Sequence, residues 1–407
     1  MVWGWRKIIL VVTATQLALT GCSTPQRLPA VPIGQVTHAQ PDIGPVRFLV
    51  TRETETFVTE AKAALDREKQ WLASQGKSGE LPPVYFLAIS GGGDNGAYGA
   101  GFLNGWTETG TRPQFKVVTG ISTGALIAPF AFLGPKYDYV LRRVYTEVSQ
   151  KDIFKKRGIV KGLFGEAMAD TRPLASIISV YVNRQLLDAI AAEYAKGRVL
   201  LVGTANLDSL EPVIWNMGAI ASSKDPEAIK LFGQVLLASA SIPGAFPPVM
   251  IDVNADGAKY QEMHVDGGTM AQVFLYPPSL QLADQEKRKR VLYIIRNARL
   301  DADWASVERR TFSIATRAIA SLTRMQGVGD LYRIYATAER DGLDFNLTYI
   351  PRTFNTPHEE EFDTNYMRSL YDVGLQTAKT GGHWYKFPPG YQAITTGKAT
   401  AEAVPAQ

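Results

Sequence analysis

The chain has 407 residues, 45% of them apolar and 20% charged, with a formal net charge of +4. That balance is ordinary for a globular protein. The excess of cations is too small, and too little interleaved with aromatics, to indicate a nucleic-acid partner. Cys22 is the only cysteine, so no intrachain disulfide and no cysteine-ligated metal site can form.

In chain order, the first segment is "MVWGWRKIILVVTATQLALTGCS". Two cations, an apolar run from Ile8 to Leu19 and small residues make residues 1–21 a secretory signal peptide. The run is shorter than the ~20 apolar residues that span a bilayer. Leu19-Thr20-Gly21-Cys22 resembles the bacterial lipobox. That resemblance implies cleavage before Cys22, acylation of its sulfur and new amine, and a lipid-anchored protein of the cell envelope. Ser23, in place of an aspartate, is similar to the outer-membrane sorting signal of Gram-negative lipoproteins. Loss of Arg6 and Lys7 leaves 4 − 2 = +2 on the mature chain. Residues 22–45, with five prolines, read as an extended tether. The folded body is expected over 46–390, and 391–407 as a frayed tail.

Within the body, "TRETETFVTEAKAALDREKQWLASQG" has the apolar spacing of a helix. Strands are expected at "VYFLAIS", "FKVVTG", "RVLLVGTAN", "PVIWNMG", "MHVDGG", "VLYIIRN" and "FNLTYIP". Helices are expected after the glycine loop through about Trp106, from about Ala125, and over Ala228–Ser239, Trp304–Met325, Leu331–Arg340 and Glu361–Lys379. This alternation predicts an α/β fold, a three-layer sandwich around a mostly parallel sheet. "EKRKR", Glu286–Arg290, reads as a solvated turn. "KDIFKKRGIVKGLFG", Lys151–Gly165, reads either as a membrane-touching or gating element or, more plainly, as a loop packed by its own apolar residues.

The chemistry lies in three loops. "SGGGDNGAYGAG" carries Gly91, Gly93 and Gly96 in a G-x-G-x-x-G pattern after a strand. A dinucleotide site would need an acid at the end of the next strand, but that strand ends in "TGISTG". A P-loop would need a lysine, and Asp94 and Asn95 stand there instead. Gly120-Ile121-Ser122-Thr123-Gly124 matches G-x-S-x-G, the strand-to-helix elbow that lifts a serine hydroxyl out of a sheet. Beside it, the bare amides of Gly91, Gly92 and Gly93 suit an oxyanion better than a phosphate. Asp266-Gly267-Gly268 puts an acid at a strand end in a glycine turn.

In this order the glycine triplet, the G-x-S-x-G and the D-G-G resemble the patatin-like phospholipase family. The resemblance runs over about 84–297 and includes "LASASIPGAFPPV". It implies a patatin-like fold and lipid acyl-ester hydrolysis by a Ser–Asp dyad, with no metal or cofactor. Ser122 would be the nucleophile and Asp266 the base. Gly91, Gly92 and Gly93 would form the oxyanion hole, with the Thr123 amide as a further donor and Gly96, Gly120, Gly124, Gly267 and Gly268 as motif glycines. The implied partners are a lipid substrate and, through Cys22, a membrane. The family has Arg or Lys where Asn95 stands, so Asn95 is a possible oxyanion side chain, and Asn95→Arg is expected to raise turnover if it faces the oxyanion. Two alternatives stay open: a Ser-His-Asp esterase using His358 or His383, and an envelope scaffold on a hydrolase fold.

Overall fold

A computed structural model describes residues 25–77, 79–158, 165–282, 288–302, 304–381 and 384–391. The signal peptide and Cys22, residues 159–164, His383 and the tail from 392 lie outside the described residues. In chain order the strands are β1 (Arg47–Leu49), β2 (Val84–Ile89), β3 (Val117–Ile121), β4 (Lys155–Lys156), β5 (Ala169–Asp170), β6 (Val199–Asn206), β7 (Glu211–Asn216), β8 (Val249–Ala255), β9 (Ala258–Asp266), β10 (Arg290–Arg296) and β11 (Leu343–Tyr349). The helices are α1 (Thr54–Ser74), α2 (Gly96–Glu108), α3 (Thr123–Leu133), α4 (Asp138–Glu147), α5 (Gln150–Ile153), α6 (Arg172–Tyr181), α7 (Arg184–Ala195), α8 (Met217–Ser222), α9 (Glu227–Ser239), α10 (Thr311–Asp341) and α11 (Thr364–Lys379).

The unbroken apolar runs make the centre of the sheet, because a parallel strand is covered on both faces. Its order is β1-β7-β6-β3-β2-β10-β11, and neighbours from β6 to β11 run parallel. Leu87, Ile89, Val118, Leu200 and Val202 point to one face, under α2, α3 and α9. Phe86, Ala88, Leu201, Leu292 and Ile294 point to the other, under α1 and the second half of α10. The expected three-layer sandwich is therefore the fold. All seven expected strands are present. Short β1 and half-exposed β8, with its apolar-polar alternation, carry no continuous apolar run to announce them.

Three readings change. The two helices expected at Trp304–Met325 and Leu331–Arg340 are one helix, α10, beginning at Thr311. Gly327, between the two expected helices, lies inside it and makes room for the Arg296 guanidinium. The "EKRKR" turn is not all solvated, since Arg288 pairs with Glu68 of α1 at 2.9 Å and both side chains are largely buried. Residues 27–45 are docked on the body: Val36 and Ala39 are buried, Gln40 bridges to Asn254, and Arg27 binds Asp208 at 2.7 Å. Of the segment from Lys151, Ile153 and Phe154 are buried, and Phe154 packs on Phe246 and Phe362.

Register places the three chemical loops. Ile89 of β2 pairs with Gly120 of β3, so both strands end at one level, with the glycine triplet beside Ser122. Ile121 pairs with Gly203 of β6, and Thr204 pairs with Asp266 of β9. Antiparallel β9 thus delivers its last residue to the carboxyl end of β3, a position that strand counting alone does not give. Behind the site α2 and α11 pack backbone to backbone: a side chain at Gly101 would overlap the Tyr371 carbonyl.

Candidate active site

Ser122 sits between β3 and α3 with φ 55° and ψ −126°. A non-glycine residue at positive φ is strained by roughly 1–3 kcal/mol and persists only when its surroundings enforce it. Here they do. A Cβ on Gly124 would overlap the Ile89 carbonyl, and one on Gly120 the Gly124 carbonyl, so the elbow closes only with glycine on both sides. The Ser122 amide donates to Ser239 Oγ at 3.0 Å, and Ser239 Oγ in turn donates to the Gly203 carbonyl at 2.7 Å. Ser239 lies in "LASASIPG", and its contact with Ser122 spans 117 residues, so no local pattern marks it.

Asp266 is buried, and the nearby Ser122 hydroxyl favours its ionised form. Its Oδ1 also accepts the Gly268 amide at 2.7 Å. Burial raises the carboxyl pKa to about 6, and Ser122 and the Gly268 amide only partly offset that rise.

The glycine triplet divides. The Gly91 amide donates to the Gln272 carbonyl at 3.0 Å, so it is not free for an oxyanion. The amides of Gly92 and Gly93 find no acceptor among the described residues. The Thr123 amide opens α3, where N–H groups have no partner within the helix. The Thr123 hydroxyl lies 2.5 Å from the hydroxyl of buried Tyr145. Asn95 has a different employment from the one expected: its Oδ1 accepts from the Tyr366 hydroxyl of α11 at 2.6 Å. Next to it, Asp94 accepts from His358 Nε2 at 2.7 Å and from the Phe362 amide at 2.9 Å. The residues in place of the family's cation therefore tie the glycine loop to the C-terminal part of the chain. Asn95→Arg would cut one of these ties, which removes the ground for the expected gain in turnover.

His264 and His358 are occupied elsewhere. His264 is fully buried, with Nδ1 2.9 Å from Thr204 Oγ1 and Nε2 3.1 Å from Glu262. Burial lowers its pKa despite the nearby Glu262 carboxylate. His358 faces Asp94 and stacks on Tyr366.

An apolar cavity opens at Gly93, Ser122 and Thr123 and runs between Leu126, Phe130, Leu174, Ile178, Tyr181 and Phe246. No charged side chain lines it. A second apolar cavity lies on the opposite face of the sheet, against α10, and reaches neither Ser122 nor Asp266. The first is the one the serine hydroxyl can serve.

A serine held at positive φ where a parallel strand turns into a helix is the elbow of serine hydrolases on α/β sheets. Residues 87–277 match the family described as patatin-like phospholipase. The match supports lipid hydrolase activity. Among solved structures the chain is similar to VipD from Legionella pneumophila, at 13% identity over 74% of this chain and 67% of that one, with a TM-score of 0.35. Full-length ExoU with SpcU, from the type III secretion system of Pseudomonas aeruginosa, matches at 11% identity over 74% and 52%, with a TM-score of 0.33. Human GIVD cytosolic phospholipase A2 matches at 10% identity over 85% and 65%, with a TM-score of 0.34. The chain thus spans about half to two thirds of the length of these proteins. No curated protein matches it.

Proposed function

We propose that the protein hydrolyses carboxylic esters of lipids with a Ser122–Asp266 dyad. The observation that carries this reading is a strained serine beside a buried carboxylate at the mouth of an apolar cavity. Ser122 Oγ attacks the ester carbonyl while Asp266 takes its proton. The Gly92, Gly93 and Thr123 amides stabilise the oxyanion. Collapse of the intermediate expels the alcohol, which takes the proton back from Asp266. Water, deprotonated by Asp266, then attacks the acyl-serine, and the fatty acid leaves. With His264 bonded at both ring nitrogens and His358 tied to Asp94, the geometry favours the dyad over a histidine triad. A scaffold would have no use for the strain at Ser122, which favours an enzyme over a binding protein.

Fatty-acid release from a panel of phospholipids, lysophospholipids and neutral esters tests this, with Ser122→Ala as the control. Release by wild type and none by Ser122→Ala is the expected result; no release from any substrate would sink the reading. The base works only when ionised, so kcat/KM is expected to rise with pH through about 6 and then level off. A profile flat between pH 5 and 8 would contradict Asp266 as the base.

The uncharged cavity suits an acyl chain, the headgroup staying outside. Ile177→Trp, at a half-buried position on its wall, is expected to lower kcat/KM on palmitoyl esters about tenfold relative to butyryl esters. Equal losses on both would mean the chain lies elsewhere.

The lipobox resemblance further supports a lipid anchor on Cys22 and a place in the cell envelope, the outer membrane in a Gram-negative host. One acyl chain binds membranes only marginally and two or more hold firmly. Cys22→Ala is therefore expected to give an unprocessed or soluble protein. An unmodified Cys22 in the N-terminal peptide of the wild type, seen by mass spectrometry, would rule the anchor out.

A further inference from the structure

The first half of α10 is built inside out. From Leu331 onward the helix is an ordinary covering helix, burying Leu331, Ile334, Tyr335 and Ala338 against the sheet. At about 100° per residue, that buried side continues upstream as Ser313, Arg317, Ala320 and Arg324. Arg324 accordingly donates to the carbonyls of Leu300 and Asp301 at 3.1 and 3.2 Å. The apolar residues Ile314, Ile319, Leu322 and Met325 lie on the opposite side and are exposed, Leu322 at 71%. The apolar stripe therefore changes sides near Gln326. Trp304, seven residues ahead of the helix, is 87% exposed.

The position of this half-helix relates it to the active site. α10 leads directly into the start of β11, so it runs against the parallel strands. It passes their carboxyl edge at Gln326, whose side chain contacts the Thr269 carbonyl at 3.5 Å and Gln272 at 3.3 Å, beside the Asp266 turn. The preceding residues 311–325, about 22 Å of helix, rise beyond the carboxyl edge of the strands, the edge at which Ser122 also lies, from the face opposite the Ser122 cavity. Residues 304–325 hold four arginines, Arg309, Arg310, Arg317 and Arg324, against Glu308, a formal 4 − 1 = +3, with Asp301 and Asp303 just ahead of them. No helix among the described residues is long and apolar enough to cross a membrane.

We infer that residues 304–325 form an interfacial docking element that seats the protein on an anionic lipid bilayer with the active-site opening toward it. Exposed Trp, Ile, Leu and Met side chains in a basic segment have the chemistry of a surface that enters the headgroup region of such a bilayer. The inference rests on the reading of the protein as a lipid hydrolase. That reading requires the substrate to leave a membrane near Ser122, and this is the surface beside it.

Hydrogen exchange of the full chain, read by mass spectrometry, tests the inference locally and independently of the N-terminal segment. With vesicles of phosphatidylglycerol and phosphatidylcholine, peptides from 304–325 should exchange several-fold more slowly, and less so at high salt. The double variant Ile319→Asp/Leu322→Asp should lose that protection. It should also hydrolyse vesicle lipid about tenfold more slowly while keeping wild-type activity on a soluble butyryl ester, which doubles as the check on folding. Unchanged exchange of the wild-type segment on vesicles would overturn the proposal. So would protection of the segment that appears without lipid as protein concentration rises, which would make the face an interface between copies. Protection on vesicles without hydrolysis of any ester would leave the docking surface standing and overturn the enzymatic reading instead.

Discussion

Asp266→Asn is expected to lower kcat by about 10²- to 10⁴-fold, the usual worth of a positioned general base, while making the folded protein more stable at neutral pH. Both effects come from one cause. Burial raises the Asp266 carboxyl to about 6, above its ordinary 3.8. A group whose folded pKa is raised favours the fold while protonated, and that contribution is lost as pH rises through the folded value. At pH 8 the ionised carboxylate therefore costs the fold on the order of 2–3 kcal/mol. Asparagine keeps the shape and an oxygen for the Gly268 amide, but carries no charge to desolvate. The variant should melt higher than wild type at pH 8, and the gap should shrink toward pH 5. Turnover retained in Asp266→Asn, with loss in His358→Ala or His383→Ala, would replace the dyad with a triad. A variant less stable than wild type at pH 8 would mean that the carboxylate is better solvated than its burial indicates.

Glu262→Ala should be the most damaging substitution for the fold, by about 3–5 kcal/mol, because it leaves a buried cation without its partner. Arg47 and Glu262 form a two-pronged ion pair at 1% exposure each, one contact being Nη2 to Oε1 at 3.0 Å. Arg47 also donates to the Ala39 carbonyl at 2.6 Å, which ties the docked N-terminal segment into the same network. Burial alone would raise the Glu262 pKa, but His264 and Arg47 outweigh it and bring it down to about 2. A depressed carboxylate stabilises the fold above its unfolded pKa, so this contribution is present above about 4.5 and lost as pH falls toward 2. Urea unfolding at neutral pH measures the loss, and a change under 1 kcal/mol would mean that the pair is not closed in solution. Turnover per folded molecule should survive, since Glu262 is four residues from Asp266 and bonds away from it, to Arg47 and His264.

The sequence announced what depends on local pattern. Six apolar residues in a row could only be a covered strand, and glycines flanking Ser122 could only serve a turn too tight for a side chain. The place of Asp266 at a strand end was legible because an acid before two glycines is a local feature. What stayed hidden depends on contacts across the chain. Ser239 reaches Ser122 over 117 residues, and His358 reaches Asp94 over 264. The retired Gly91 amide follows from a bond to Gln272 that no motif carries. Asn95 invited comparison with a family cation, but its partner, Tyr366, lies 271 residues away. The continuity of α10 was obscured by Gly327, whose missing side chain answers to Arg296 on another strand rather than to its own helix.

The central claim is that Ser122 is a nucleophile activated by Asp266. Its most direct test is the rate at which a fluorophosphonate labels the protein, with the site located by mass spectrometry. The account predicts one adduct, on Ser122, absent in Ser122→Ala and formed much more slowly in Asp266→Asn, while His264→Ala and His358→Ala still label. An unlabelled Ser122 in folded wild-type protein, or labelling as fast in Asp266→Asn as in wild type, would contradict it.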